Sequence, residues 1–307
     1  MTGTKVLVVG GTGLIGSEIA RLLAARGDDV TVAARRPPGD DDPVSIAGLP
    51  RLLGDYADGG LTEADLRGFD AVVMAAGQDI RHVQEAAEDD AFWDRVQRRG
   101  VPALAGRARA AGVRRFVQIG SYYHQYDPAL ARRVPYVAAR RDADDGARAL
   151  TDGAFAAITL NPPSIVGAVT PQARRRFARM AESLRGEGLR PAAWAPPGGT
   201  GYMSVRSLAQ AVAGALDRGR PAHAYLIGDE CLTYREYFQR MVDVTGGDVR
   251  LEVRDENHPL QPDRFIVQGR GATIAYEPEP AEVALLGYDR RDVGRALQEI
   301  FAGGEGA

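Results

Sequence analysis

KVLVVGGTGLIG, residues Lys5 to Gly16, decides the fold. A short β-branched run leads into glycines at Gly10, Gly13 and Gly16, and an amphipathic helical pattern, Leu14 to Arg26, follows at once and closes at Gly27. Such a strand must turn tightly and bring its backbone up to a pyrophosphate. The next helix then aims its amide dipole at the phosphates. Glycine meets these needs because it lacks a Cβ. Thr12, Leu14 and Ile15 complete the turn and join the three glycines as candidate nucleotide contacts.

Outward from this motif, strand and helix alternate. Strands are expected at Lys5–Gly10, Val30–Ala34, Arg51–Leu53, Ala71–Ala75, Arg115–Ile119 and Ala156–Leu160. Helices are expected at Leu14–Arg26, Thr62–Leu66, Ala91–Ala111 and Tyr136–Leu150. Alternation of this kind implies an α/β, doubly wound parallel sheet covered by helices on both faces. After Asn161 the regularity breaks. Helices are expected over Arg174–Arg185, Ser204–Asp217, Thr233 to Val244 and Asp292–Phe301. Short strands are expected at Ala224–Ile227, Leu251–Val253 and Phe265–Val267, with loop over Pro191–Gly201. The domain reading is a nucleotide-binding unit over 1–161, to which 204–228 returns, and a smaller irregular α/β substrate region from 162–203 and 229–307.

The 307 residues are 45% hydrophobic and 26% charged, enough for a substantial core. Thirty-eight basic and 41 acidic residues give a net charge of −3, so nucleic acid is not an expected partner. One cysteine, Cys231, excludes an intrachain disulfide. With a strand expected to begin by Lys5, no signal peptide is expected, and no apolar run has the length of a membrane span. The expectation is a soluble cytoplasmic protein with no membrane partner and no metal site. Lys5 is the only lysine; every other basic residue is arginine.

The end of the second strand reads Ala33-Ala34-Arg35-Arg36. A carboxylate there would hold the adenosine ribose of NAD; instead two guanidiniums follow, which suits a 2′-phosphate and favours NADP(H) over NAD. Asp55, after the third strand, serves either as an acceptor for the adenine amino group or as a turn residue.

Several segments in order resemble the extended short-chain dehydrogenase/reductases, also called the NAD-dependent epimerase/dehydratase family. GGTGLIG resembles its nucleotide fingerprint, and Ala75-Ala76-Gly77 its small-residue turn after the fourth strand. GVRRFVQIGS, Gly112 to Ser121, resembles the strand that carries the family's serine. Tyr136-Val137-Ala138-Ala139-Arg140 stands where the family has YxxxK. LNPPSIVG, Leu160 to Gly167, resembles the segment beside the nicotinamide, which adds Pro163 and Ile165 to the cofactor contacts. Gly287-Tyr288 resembles the family's tail.

The resemblance implies a Rossmann fold and a catalytic set of Tyr136, Ser121 and Arg140. Reduction of a carbonyl leaves an alkoxide that needs a proton, and an unperturbed phenol near pKa ~10 is a poor acid at neutral pH. A cation four residues on along a helix shares the phenol's face and stabilises the phenolate. Tyr136 would then exchange the proton, Ser121 hold the carbonyl oxygen and Arg140 anchor the ribose.

Two departures stand out. Arginine replaces the lysine and cannot release a proton, and Gln97 stands where the family often has asparagine. They reflect either a general exchange of lysine for arginine or altered chemistry. Tyr122, Tyr123 and His124 follow Ser121 and are candidate pocket or proton-donor residues; Asp79 and His82 follow Gly77 without a distinguishing signal.

The function expected is an NADP(H)-dependent oxidoreductase acting on a carbonyl or secondary alcohol of a small apolar or aromatic metabolite. Alternatives are an epimerase, isomerase or dehydratase with retained cofactor, or a nucleotide-binding protein without catalysis. Pro163–Gly167, Trp194, Tyr202 and Met203 are the expected pocket walls, and a homodimer through Gln97–Ala111 and Tyr136–Leu150 would use Val101, Leu104, Val137 and Leu150.

Overall fold

The alternating runs of the first half form β1 (Lys5–Val9), β2 (Asp29–Ala34), β3 (Arg51–Leu53), β4 (Ala71–Met74), β5 (Arg115–Ile119) and β6 (Ala156–Asn161) in the computed structural model, which describes residues 3–80 and 90–302. Three strands follow in the second half: β7 (Ser164–Val166), β8 (Trp194–Ala195) and β9 (Gly199–Ser204). The chain then returns, and β10 (Ala224–Leu226) pairs with β6. The resulting seven-stranded sheet has the order β10–β6–β5–β4–β1–β2–β3, and its strand pairings are parallel. Its strand order reverses between β1 and β4, so a crevice opens beyond their carboxyl ends.

Alternate residues of β1 serve opposite cores. Val6 and Val8 pack with Ile19 of α1 (Leu14–Ala25), while Leu7 and Val9 face the other side. That other face is covered by α4 (Gly100–Ala110) and α7 (Pro135–Arg148) through Leu104, Ala105, Ala143 and Ala147. Between β3 and β4 lies α2 (Glu63–Leu66), started by a capping box on Thr62, and between β4 and β5 lies α3 (Asp90–Trp93), ahead of α4. The helix expected across Ala91–Ala111 is interrupted: Asp94–Arg99 winds as a π-helix. Tyr56 donates its hydroxyl to the Val96 carbonyl across this wider turn at 2.8 Å.

Short α5 (Tyr123–Tyr126) and α6 (Leu130–Arg133) precede α7, which Pro135 starts at its first turn. α8 (Pro171–Leu184) is capped by Thr170, and α9 (Val205–Arg218) by Ser204. α9 covers the sheet face opposite α4 and α7 through Leu208, Val212 and Ala215.

β11 (Glu230–Thr233) pairs antiparallel with β9, which runs parallel to β7. α10 (Tyr234–Val244) begins with the Thr233–Glu236 capping box. The pair β8 and β12 (Glu252–Val253), with α11 (Pro280–Leu286) and α12 (Val293–Ala302), completes the second half. Phe177, Tyr237, Phe238, Met241 and Leu297 fill its core.

Two expected elements are corrected. Pro191–Gly201 is not all loop, because β9 begins at Gly199. Its glycines reflect close backbone approach: a Cβ on Gly199 would lie 2.5 Å from the Leu232 carbonyl oxygen, and one on Gly201 2.9 Å from the Pro163 Cβ. Phe265–Val267 is not a strand; Asp263–Phe265 is a 3₁₀ turn whose following residue, Ile266, is buried in the core. Val101, Leu104 and Val137, expected on a dimer face, are buried in the chain's own core. No helix among the described residues is long and apolar enough to cross a membrane.

Candidate active site

The three glycines of the opening motif divide their work. Gly10 has φ +83°, and a Cβ there would lie 2.7 Å from the Ala76 backbone. A Cβ on Gly16 would lie 2.2 Å from the Gly10 carbonyl oxygen. Both glycines are demanded by the fold itself. Gly13 is different: its Cβ would meet only the Gly10 oxygen, at an ordinary 3.4 Å, and the residue is exposed where it lines the crevice. It is the N-cap of α1, with no side-chain cap and no acidic residue in the first turn, so the first amides of α1 remain available to an anion. Gly13→Val should therefore fold like the parent by circular dichroism and melting, yet bind nucleotide at least about tenfold more weakly by calorimetric titration. Gly10→Val should fail to fold.

Beyond Gly13 runs a cleft of about 480 Å³. Gly13, Leu14, Ile15, Ala75, Gly77, Ser121, Tyr136, Arg140, Pro163 and Ile165 line it together, joined by Tyr122 and Tyr123. Ser121 is 6% exposed and makes no side-chain hydrogen bond among the described residues. Thr12 lies in the turn before α1, and Gly10, Gly16 and Ala76 sit behind the lining. Arg35 and Arg36 stand exposed just past β2, without a side-chain partner among the described residues. Asp55 acts in its own turn, accepting from the Ala57 amide at 2.9 Å. His82 lies outside the described residues.

Tyr136 stands in the first turn of α7, its ring 5.1 Å from that of Trp93 and 6.4 Å from that of Tyr123. Arg140, one turn on, is buried. Its Nη2 donates to the Ile119 carbonyl at 2.9 Å and to the Gly120 carbonyl. Arg140 thus braces the end of β5, directly before Ser121, while the same side chain borders the cleft beside Gly77. Both bonds come from Nη2, and Nη1 is the nitrogen nearest Gly77. Gln97, on the π-helix, is buried and reaches the Gln78 carbonyl at 3.4 Å.

His124 is not part of the cleft lining. Its Nε2 pairs with Asp144 at 3.0 Å, and Asp144 also binds Arg148. Desolvation pushes the Asp144 carboxyl upward, but the bonds from His124 and Arg148 outweigh it and hold the group at about 2.

A second cavity, of about 360 Å³, meets the cleft along Tyr123, Tyr136, Ser164, Ile165, Asp79 and Arg176. Its far walls are Phe177, Met180, Thr200, Tyr202, Tyr234, Tyr237, Phe238 and Phe265. Burial raises the phenols of Tyr123 and Tyr202 well above their usual range and that of Tyr234 to about 12, so they are neutral at pH 7. Among the described lining residues only Asp79 and Arg176 carry charge.

Of the expected walls, Tyr202, Pro163 and Ile165 belong to these cavities. Trp194 instead packs on His258, 4.4 Å between rings, and Met203 is buried under the sheet. The α8 and α10 aromatics were missed; their helical spacing marks a buried face without saying whether that face meets core or cavity.

Comparison with known proteins agrees with this geometry. The chain is 39% identical over 123 residues to the polyketide synthase GfsB of Streptomyces halstedii, covering 36% of this chain and 2% of that protein. It is 48% identical over 50 residues to the epimerase family protein SDR39U1 of Bos taurus, covering 15% and 17%. The chain therefore spans well under two thirds of either relative. The crystal structure of UDP-glucose 4-epimerase from Bifidobacterium longum, in complex with NAD+ and UDP, superposes with a TM-score of 0.73 at 16% identity, covering 98% of this chain and 99% of that one. Residues 6–228 match the family model for NAD dependent epimerases and dehydratases, and with the parallel sheet, the glycine turn and the tyrosine helix in place, the chain belongs to the NAD-dependent epimerase/dehydratase family.

Proposed function

We propose that the protein is an NADP(H)-dependent oxidoreductase that interconverts a carbonyl and a secondary alcohol on a small, apolar or aromatic molecule. The observation that carries this reading is the place of Tyr136: it stands in the wall shared by the glycine-motif cleft and the aromatic cavity. The cleft fits a dinucleotide, because the uncapped α1 N-terminus and the open Gly13 position suit a pyrophosphate. Gly13, Leu14, Ile15, Ala75, Gly77, Pro163 and Ile165 would hold it. When bound, the nicotinamide supplies or accepts a hydride.

The chain's own residues manage the oxygen. The Ser121 hydroxyl donates to the substrate carbonyl, and the Tyr136 hydroxyl gives its proton to the alkoxide as it forms. Arg140 holds the Ile119 and Gly120 carbonyls and so fixes the strand end from which Ser121 projects. Arginine stays protonated, so protons return to Tyr136 from water or a neighbouring hydroxyl. The neutral phenols and aromatic rings of the second cavity suit a neutral, ring-bearing substrate.

Arg35 and Arg36, with Ala34 where a carboxylate would select NAD, support NADP(H). Arg35→Ala should weaken NADPH binding by about 1–3 kcal/mol and leave NADH binding unchanged, as read by fluorescence titration of both. Equal affinity of the parent protein for the two cofactors would refute the assignment.

The family match favours a second reading, an epimerase or dehydratase that keeps its cofactor bound. Stoichiometric NADPH consumption with substrate separates the two: a reductase consumes it, whereas an epimerase does not.

A further inference from the structure

Along the rim of the aromatic cavity, α8 turns Arg175, Arg176 and Arg179 onto one face, since residues three and four apart are neighbours on a helix. Ser183 follows on that side, and its hydroxyl donates to the Arg190 carbonyl, which draws Arg190 to the end of the row. All four arginines are exposed. Many other surface arginines are matched by carboxylates, as in Arg21–Glu18, Arg206–Glu299 and Arg240–Glu230. Arg179 and Arg190 have no ion-pair partner among the described residues, and Arg175 reaches Asp41 only at 3.9 Å. Glu182, three residues beyond Arg179, is the one carboxylate of α8, so the strip keeps an excess of positive charge in a chain of net charge −3.

Three further observations narrow what it fits. From Arg175 to the end of α8 the row runs about 14 Å at 1.5 Å per residue, longer than a single phosphate group. Leu189, beside Arg190, is fully exposed and supplies an apolar anchor at the far end. The apolar face of α8, with Phe177, Ala181 and Leu184, is buried in the chain's own core, so the helix has no apolar face left to enter a lipid surface. The near end of the row, Arg176, lines the cavity itself.

We propose that this row is a docking surface for an acidic protein segment that carries the substrate and offers it at the mouth of the aromatic cavity. The proposal rests on the reading of that cavity as the substrate site. Carboxylates spaced along the partner's helix would meet Arg175, Arg179 and Arg190, and an apolar side chain would rest on Leu189.

The test uses the full chain saturated with NADPH and a fluorescein-labelled amphipathic helical peptide of glutamate, leucine and alanine, read by anisotropy. The combined variant Arg175→Gln, Arg179→Gln, Arg190→Gln should bind the peptide at least tenfold more weakly than the parent. A control with the same charge change, Arg67→Gln, Arg95→Gln, Arg109→Gln, should differ less than twofold. Equal weakening in both variants, or no peptide binding by the parent, overturns the proposal. So does row-dependent binding to phosphatidylserine vesicles or to inorganic pyrophosphate in place of the peptide. A separate NADPH titration of the cofactor-free preparations reports on the enzyme reading, because none of the substituted residues lines the cofactor cleft.

Discussion

Tyr136→Phe is expected to lower turnover at least about a hundredfold, the effect of removing an acid–base group, while the fold and cofactor affinity stay as they are. The ring packs between Trp93 and Tyr123, and phenylalanine preserves those contacts. Only the hydroxyl is lost, at the border of the cleft and the aromatic cavity. The loss should fall on kcat, with NADPH binding unchanged, because the proton is needed only as the alkoxide forms. Steady-state turnover and a cofactor titration on the same preparation make the comparison. Full activity in the variant would remove the reductase mechanism and leave a non-redox reaction or a binding role.

Asp144→Asn should destabilise the protein by about 3–5 kcal/mol, the range for breaking a buried ion pair from one side. Asp144 is fully buried on α7 and pairs with His124 and Arg148. It also accepts from the Asn161 amide at 3.2 Å, so it ties α7 to the end of β6. Without its charge, Arg148 loses a buried partner. The pH dependence has a definite sign. The folded carboxyl is held at about 2, below its unfolded value near ~3.9, so its stabilisation is present above that unfolded value. It is lost as the pH falls from about 4 to about 2. Urea midpoints measured across that window should slope for the parent and slope less steeply in the variant, the remainder coming from other carboxyls held low, such as Asp70 and Asp292.

The first half of the fold was legible because its signals are local. β-branched runs such as Val6–Val9 and Phe116–Ile119 have the length of strands, and in the second half the Thr233 capping box likewise marks a helix start within a single turn of sequence. The cleft lining was readable to the extent that it follows a motif, as at Gly13, Ser121 and Tyr136. What depends on distance in sequence was not. The grip of Arg140 on Ile119 and Gly120 joins positions about twenty apart, and β9 looked like a loop because its glycines answer to neighbours on other strands. Val101, Leu104 and Val137 show the same limit: periodicity finds an apolar face but not whether the chain's own sheet or a second molecule covers it.

The return of β10 to the edge of β6 bears on how the chain folds during synthesis. When residue 161 has been added, six strands of the sheet exist, but the helix that covers one face, α9, and the strand that closes the edge, β10, do not. α1 already covers Val6 and Val8, but Val117, Ile119 and Ile158 on the same face wait for Leu208, Val212 and Tyr225. At roughly 5–20 residues per second, the ~65 residues still to come take about 3–13 seconds. Through that interval the nascent chain carries a sheet with part of one apolar face uncovered and an open strand edge, a surface to which ribosome-associated chaperones would be drawn. Ribosomes stalled just beyond residue 161 should therefore hold a chaperone-bound chain, and those stalled well beyond residue 228 should hold one whose sheet is already covered.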